Sequence, residues 1–150
     1  MDLILWRHAE AEPGEPDLGR RLTAKGARQA ERMATWLDSH LPDTCRVLVS
    51  PAERAQQTAS ALKRSFKTVP DLAPGATVDA LLRAAGWPGA REPVLIVGHQ
   101  PTLGETAAFL LSGAEAPWSV RKAALWWLSG RARERGAEIV LKVVIGPDHV

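Results

Sequence analysis

The chain has 150 residues, of which 45% are hydrophobic and 24% are charged, and its formal net charge is +2. These values are typical of a soluble globular protein, so we expect a single domain over residues 1–150 with a sizeable core. The longest apolar runs fall far short of the ~20 residues that cross a bilayer, which argues against a membrane protein. Arg7 interrupts the first run, so no signal peptide is predicted.

Cysteine use and charge distribution narrow the class further. Cys45 is the only cysteine, which excludes an intrachain disulfide and favours a reducing compartment, so we expect a cytoplasmic protein. Lysines and arginines are scattered rather than clustered, which argues against nucleic-acid binding. A few arginines gathered in one pocket would instead suit a small phosphate-bearing group.

The first third of the chain predicts a strand, a loop and a helix. A strand is expected over residues 2–7, and a loop rich in proline, glycine and acidic residues over 10–20. Thr23 is a suitable N-cap for a helix whose apolar residues recur at three- and four-residue spacing. Pro42 marks the end of that helix.

The second strand is expected over residues 46–49, and the helix after it is predicted to run to about Phe66. Ser50 is a good N-cap, Pro51 fits the first helical position, and Glu53 would complete a capping box.

The rest of the chain continues the alternation of strands and helices. A short strand over 67–69 precedes a helix over 77–85, and a strongly β-branched strand over 93–97 precedes a helix over 101–112. Two strands, expected over 122–128 and 138–145 and joined by the polar segment 129–136, would form a C-terminal antiparallel hairpin. The pattern predicts an α/β fold in three layers (α/β/α) with a mostly parallel central sheet.

Charged and polar residues follow three of these strands. Because the carboxyl ends of parallel strands share one edge of the sheet, this order predicts that five side chains meet there: Arg7, His8, Ser50, Arg54 and His99. Two guanidinium groups, two imidazoles and the N-terminus of a helix would form a pocket for a dianion.

Such a pocket suits phosphoryl transfer. A histidine can attack phosphorus and form a covalent intermediate that water then hydrolyses, while the arginines offset the charge of the transition state. No metal or other cofactor is needed, since the fixed cations fill that role. A metal site is disfavoured because no third ligand stands at suitable spacing from the two histidines.

The ordered motifs resemble those of the histidine phosphatase (phosphoglycerate mutase-like) superfamily, and in particular its small SixA-type phosphohistidine phosphatases. The resemblance spans residues 2–111 and is carried by four motifs: Leu5-Trp6-Arg7-His8-Ala9, Leu22-Thr23-x-x-Gly26, Ser50-Pro51-x-x-Arg54-Ala55-x-Gln57-Thr58 and Gly98-His99-x-Pro101-x-x-Gly104.

The resemblance implies a role for each matching residue. His8 would be the nucleophile, Arg7 and Arg54 would bind the phosphoryl group, and His99 would donate a hydrogen bond to it. Ser50 either orients a pocket residue or caps its helix, and we favour capping.

Two departures from the superfamily pattern bear on the substrate. Ala9 replaces the usual glycine, which is a small change. Gln100 stands where many members carry an acidic proton donor, and we list it among the substrate-binding candidates. The central segment 72–75 offers no glutamate either. An alkoxide leaving group needs such a donor, whereas an imidazole, which titrates near ~6.5, can depart already protonated. The pattern therefore favours phosphohistidine in a protein, such as a histidine phosphotransfer protein, as the substrate. We expect the enzyme to be a monomer whose site has an open rim.

Two other functions remain open on the sequence. The substrate could be a small phosphomonoester or pyrophosphate, with Asp17 or Glu105 as the acid. The chain could also be a non-catalytic module that recognises phosphate. Arg121 and Lys122 could reach the phosphate, although surface exposure is the simpler reading, and Trp118 could line the pocket.

Overall fold

The computed structural model describes residues 1–150 and consists of one six-stranded sheet with helices on both faces. Its main elements, in chain order, are β1 (Asp2–Arg7), α1 (Ala24–His40), β2 (Arg46–Val49), α2 (Glu53–Ser60), β3 (Lys67–Thr68), α3 (Val78–Ala85), β4 (Val94–Gly98), α4 (Thr102–Ser112), β5 (Leu125–Arg133) and β6 (Gly136–Ile145). None of the helices combines the length and apolarity that a membrane span requires.

The strand order across the sheet is β3-β2-β4-β1-β5-β6. The first four of these strands are parallel, whereas β5 runs antiparallel to β1 and β6 antiparallel to β5. This is the mostly parallel sheet with a C-terminal hairpin that the element order predicted. The carboxyl ends of β1, β2 and β4 therefore lie side by side at one edge.

Two apolar cores cover the two faces of the sheet and make the fold three-layered. On one face, Met33 and Leu37 of α1 pack with Ala55 of α2 against β1, β2 and β4. On the other face, Leu81 of α3 and Leu103 of α4 pack against alternate residues of the same strands. Because β1 and β4 are covered on both sides, they appear in the sequence as nearly continuous apolar runs.

Helix α1 begins as predicted, with Thr23 Oγ1 accepting a hydrogen bond from the backbone N–H of Gly26. Gly26 is needed for a second reason. A β-carbon at this position would lie 2.0 Å from the carbonyl oxygen of Glu10, so the helix and the loop after β1 could not approach so closely.

The predicted length of α2 is wrong, because the helix ends at Ser60 rather than near Phe66. After Ser60 the backbone N–H groups of Ala61, Leu62 and Lys63 each donate three residues back, which tightens the last turn. Lys63 then has a positive φ of 56°, which ends the helix.

The predicted capping box at α2 is also wrong. The N-cap residue is Ala52, no side chain caps the helix, and Glu53 is its first residue. Ser50 lies fully buried before the helix, with its hydroxyl accepting from the backbone N–H of Ala52 and contacting His99. A local capping pattern was overridden here by a contact between distant parts of the chain.

The C-terminal hairpin is longer than predicted. Strands β5 and β6 continue through the polar segment 129–136 and are joined only by Glu134 and Arg135. The outer half of this ribbon, residues 131–138, is exposed, so it can be a strand without apolar residues. Polarity therefore masked the strand in the sequence.

Candidate active site

Strand register brings the site together at the carboxyl edge of the sheet. Arg7 is paired with Gly98 across β1 and β4, so His8 and His99 are the next residues of two neighbouring strands. Val49 is paired with Val97 across β2 and β4, which places Ser50 beside them. The ring centroids of the two histidines lie 5.1 Å apart.

The hydrogen bonds of His8 define which of its nitrogens faces the pocket. Nδ1 lies 2.8 Å from the carbonyl oxygen of Ala9, and since a carbonyl only accepts, Nδ1 carries the proton. Nε2 is then the nitrogen with a lone pair, and the Nε–H group of Arg54 donates to it at 3.3 Å. The nucleophilic position of the ring therefore points at a guanidinium group.

His99 is fixed by Ser50 on one side and by Arg54 on the other. Its Nε2 lies 2.7 Å from Ser50 Oγ and its Nδ1 lies 3.4 Å from Arg54 Nη2. Because a guanidinium can only donate, Nδ1 is the acceptor and Nε2–H donates to the serine hydroxyl. Ser50 thus orients the second histidine, and our preference for a capping role was wrong.

Arg54 contacts more residues of the site than Arg7 does. Its side chain is only 5% exposed, and beyond the two histidines it donates to Asp17 twice. Nη1 bonds the Asp17 carbonyl oxygen at 2.8 Å, and Nη2 bonds Oδ2 of the Asp17 carboxylate at 3.2 Å. Every nitrogen of this guanidinium therefore has a partner.

Arg7 differs from Arg54 in having a donor to spare. Its Nη1 donates to the carbonyl oxygen of Val120 at 3.0 Å, while its Nε is buried without any acceptor in the protein. A buried N–H group without a partner is costly, so it marks a position where an acceptor from outside would be favourable.

Burial keeps both imidazoles neutral. Desolvation is the largest cause that lowers the pKa of His8 to about 4, with the positive charges of Arg54, Arg7 and Arg20 adding to it. Desolvation also lowers the pKa of His99 to about 3, helped by His8 and Arg54. Near neutral pH, His8 is therefore neutral, and its Nε2 carries a lone pair rather than a proton.

Gln100, which we listed as a substrate-binding candidate, forms hydrogen bonds within the protein. Its amide is used at both ends, with Nε2 donating to the carbonyl oxygen of Trp118 at 2.8 Å and Oε1 accepting from Gly104 N–H at 2.7 Å. A β-carbon at Gly104 would lie only 1.7 Å from that same carbonyl oxygen. Gln100 and Gly104 thus join helix α4 to the 118 loop.

The remaining motif residues position the loop after β1. Thr58 Oγ1 accepts from the backbone N–H of Ala9 at 3.0 Å, and Gln57 Oε1 accepts from that of Leu22 at 2.7 Å. Gln29, which lies on α1, accepts from the N–H of Glu10 at 3.1 Å. These polar contacts hold the backbone around His8 in place.

Two residues of the 10–20 loop reach the site unexpectedly. Besides its bonds to Arg54, Asp17 accepts from Arg20 Nη1 at 3.1 Å, and the positive charge of Arg20 contributes to the low pKa of His8. The sequence indicated Asp17 only as a possible acid for a small phosphomonoester or pyrophosphate, and it did not single out Arg20. Neither residue lies in a periodic element, and only their proximity to the predicted pocket in three dimensions reveals them.

The other candidates lie outside this cluster of contacts. Lys122 Nζ is 3.7 Å from a carboxylate oxygen of Glu10, and Arg121 and Lys122 line a cavity of about 750 Å³ that Arg7 also lines. Trp118 contributes its carbonyl group to Gln100. No group of three or more histidine, cysteine or acidic side chains is arranged to hold a metal ion.

The chain is similar to known proteins over most of its length. Residues 3–77 match the model of the histidine phosphatase superfamily (branch 1). The phosphohistidine phosphatase SixA of Escherichia coli is 33% identical over 127 residues, covering 78% of each chain.

Solved structures give the same result. A SixA-type phosphohistidine phosphatase from Nakamurella multipartitia superposes with a TM-score of 0.78 at 29% identity, covering 97% of this chain and 95% of that one. The protein histidine phosphatase SixA complexed with tungstate superposes with a TM-score of 0.76 at 27% identity, covering 99% and 98%.

Proposed function

This chain belongs to the histidine phosphatase superfamily, and we propose that it hydrolyses phosphohistidine in a protein through a covalent intermediate on His8. The observation that carries the proposal is the orientation of His8. Its Nδ1–H group is tied to Ala9, so the lone pair of Nε2 faces Arg54 in a buried pocket. A neutral, oriented imidazole with guanidinium groups beside it is suited to attack a phosphoryl group.

In the first step, His8 Nε2 forms a bond to phosphorus while the bond between phosphorus and the substrate's imidazole breaks. The leaving imidazole departs with the proton that it already carries. In the second step, water attacks phosphorus, the bond to Nε2 breaks, and inorganic phosphate leaves. Both protons of that water leave with the phosphate, while His99 helps to hold Arg54 in place through its Nδ1, which lies 3.4 Å from Arg54 Nη2.

The arginines supply the electrostatic part of the mechanism. Arg54 and Arg7 carry fixed positive charges, and the buried Nε–H group of Arg7 lacks a protein acceptor that a phosphoryl oxygen would supply. Donors fixed in advance stabilise the charge that develops on the transferring group. No metal ion takes part in these steps.

The chemistry of nearby acids supports an imidazole leaving group. Asp17 is the carboxylate in contact with Arg54, but its hydrogen bond from Arg20 lowers its pKa below the ordinary value, as does Arg54. It is therefore ionised near neutral pH and lacks a proton to give an alkoxide. The similar Escherichia coli protein is also a phosphohistidine phosphatase.

We propose further that the protein acts in the cytoplasm, as a monomer, through one domain of residues 1–150. Cys45 is a free thiol without a disulfide partner, which supports a reducing compartment.

A substrate panel tests the proposal. Phosphate release would be compared between a phosphorylated histidine phosphotransfer protein, free phosphohistidine, a sugar phosphate and pyrophosphate. We expect the phosphorylated protein to be hydrolysed fastest. Faster turnover of the phosphomonoester or pyrophosphate would contradict the proposal in favour of a small-molecule phosphatase. Binding without turnover of any compound would instead indicate a recognition module.

A further inference from the structure

The carboxylate of Asp17 lies between two guanidinium groups at the mouth of the pocket. Its Oδ1 accepts from Arg20 Nη1 at 3.1 Å and its Oδ2 accepts from Arg54 Nη2 at 3.2 Å. Each of the two carboxylate oxygens is thus bound by a different arginine. Guanidinium groups bind the oxygens of a phosphoryl group in the same way. Both arginines act on His8, one by direct contact and the other through its charge.

The two ends of this ion pair differ in burial. The Arg54 side chain is 5% exposed, whereas that of Asp17 is 53% exposed. The aspartate stands on a three-residue 3-10 turn, Asp17–Gly19, that has no buried residue and no side-chain cap. The carboxylate can therefore turn into solvent, while the guanidinium stays in the pocket.

We propose that Asp17 holds the position of phosphoryl oxygens in the unliganded site, and that the incoming phosphoryl group displaces its carboxylate and gains Arg20 as a third guanidinium ligand. This inference rests on the proposed function, because it concerns the same pocket. The bond from Arg54 Nη1 to the Asp17 carbonyl oxygen does not involve the carboxylate, so it persists and keeps the turn beside the site.

Arg20 is prepared for this role by its own anchor. Its Nε donates to the carbonyl oxygen of Glu12 at 2.7 Å, which holds the guanidinium group in place when Asp17 leaves. Displacement of Asp17 also removes one negative charge from beside the transferring group. The dianion then faces three arginines and no carboxylate, so the exchange favours an ion with more charge than the aspartate.

The need to displace the Asp17 carboxylate makes the site selective among anions. An anion that binds must outcompete a carboxylate that is already present. Because the Asp17 side chain is 53% exposed, its ion pairs contribute only about 1 kcal/mol, or about fivefold in affinity. A dianion with three acceptor oxygens can overcome that, whereas a monoanion offers the arginines no more than Asp17 does.

The test measures binding of inorganic phosphate by calorimetry at fixed ionic strength. Asp17→Asn keeps the size of the side chain and removes its charge, so we expect phosphate affinity to rise by about fivefold. Arg20→Gln is expected to lower it by about tenfold, as the loss of a charge-assisted hydrogen bond implies.

The matched control is Asp79→Asn, which breaks an exposed aspartate–arginine pair on α3 and makes the same change in net charge. We expect no change in phosphate affinity for it. Asp17→Ala serves as a second variant, with the thermal midpoint of each protein checked first. Unchanged or weaker binding in folded Asp17→Asn and Asp17→Ala, or unchanged binding in Arg20→Gln, would overturn the inference.

This experiment needs no substrate turnover, so it separates the inference from the proposed function. If phosphohistidine is not hydrolysed but Asp17→Asn binds phosphate more tightly, the substrate assignment fails and the exchange stands. If phosphohistidine is hydrolysed and Asp17→Asn has no effect on phosphate binding, the exchange fails and the function stands.

Discussion

Two arginine–carboxylate pairs in this molecule lie in very different surroundings. Arg54 and Asp17 meet at the carboxyl edge of the parallel strands, where the arginine is 5% exposed and contacts two histidines. Arg133 and Glu138 meet across the outer part of the hairpin, where both side chains are about half exposed, at 52% and 51%.

The difference shows how burial of the arginine changes the effect of an arginine–carboxylate pair. In the hairpin both charges stay in water, and such a pair contributes at most about 1 kcal/mol. At the rim the guanidinium has lost its water, so it depends on the groups around it and acts strongly on their charge states. Burial of the two rings is the largest cause of the lowered pKa values of His8 and His99, and the charge of Arg54 adds to it. The hairpin arginine has no comparable neighbours.

The largest contrast is expected when each arginine is replaced. Arg54→Gln removes a donor that faces the transferring group, so we expect kcat/KM for phosphohistidine to fall by about 10²- to 10³-fold. Arg54→Lys should recover only part of this, because an ammonium group cannot match the planar fork. The control is Arg133→Gln, which should keep wild-type activity. An equal loss of kcat/KM in Arg54→Gln and Arg133→Gln would contradict the different roles of the two arginines.

A smaller but still substantial effect is expected on stability at Gly104. A β-carbon there meets the Trp118 carbonyl oxygen at 1.7 Å, so Gly104→Ala should lower the free energy of unfolding by about 2–3 kcal/mol. Gly89→Ala is the control, since nothing lies within 4 Å of a β-carbon at that position. Urea titration of both variants measures the difference. A loss in Gly104→Ala no greater than that in Gly89→Ala would contradict the close packing of helix α4 on the 118 loop.

The role of Ser50 predicts a change of about one order of magnitude. Without its hydroxyl, His99 loses the acceptor for Nε2–H and its fixed orientation, so Ser50→Ala should lower kcat by about tenfold. The buried N–H group left without a partner should also lower the free energy of unfolding by about 1–3 kcal/mol. Ser60→Ala, on the exposed side of α2, removes a hydroxyl bonded only to a local carbonyl and should have no such effect. If kcat is unchanged in Ser50→Ala, the serine does not position His99.

The two buried rings should also titrate differently from exposed imidazoles. Their folded-state pKa values, about 4 and about 3, lie below the ~6.5 of the unfolded chain. The unfolded state therefore binds more protons than the folded state below about pH 6.5, and stability should fall as the pH is lowered through that window. NMR titration of the ring protons should give midpoints for His8 and His99 below about pH 5. Midpoints near 6.5 would mean that the pocket is not desolvated.

The sequence allowed the site to be placed because its residues stand at strand ends. Topology brings Arg7-His8 and Gly98-His99 to one edge whatever the details of packing, and the register of β1 with β4 places them side by side. The family followed from the ordered motifs and was confirmed by the comparisons.

The features that escaped prediction depend on contacts between distant parts of the chain. In the sequence, Ser50 is as compatible with a capping role as with a contact to His99. Only the three-dimensional structure shows that its hydroxyl contacts His99. Asp17 and Arg20 belong to a loop without periodicity. The outer hairpin strands carry no apolar alternation because both of their faces meet water.

The central claim is that the phosphoryl group is transferred to His8. It is tested most directly by mixing the enzyme with a phosphorylated histidine phosphotransfer protein, quenching in alkali on the millisecond scale, and locating the phosphoryl group by mass spectrometry of the peptides. We expect a phosphorylated peptide containing His8 to form and decay in wild type, and to be absent in folded His8→Asn together with all turnover. A phosphoryl group found on His99 instead, or full turnover by His8→Asn, would contradict the account.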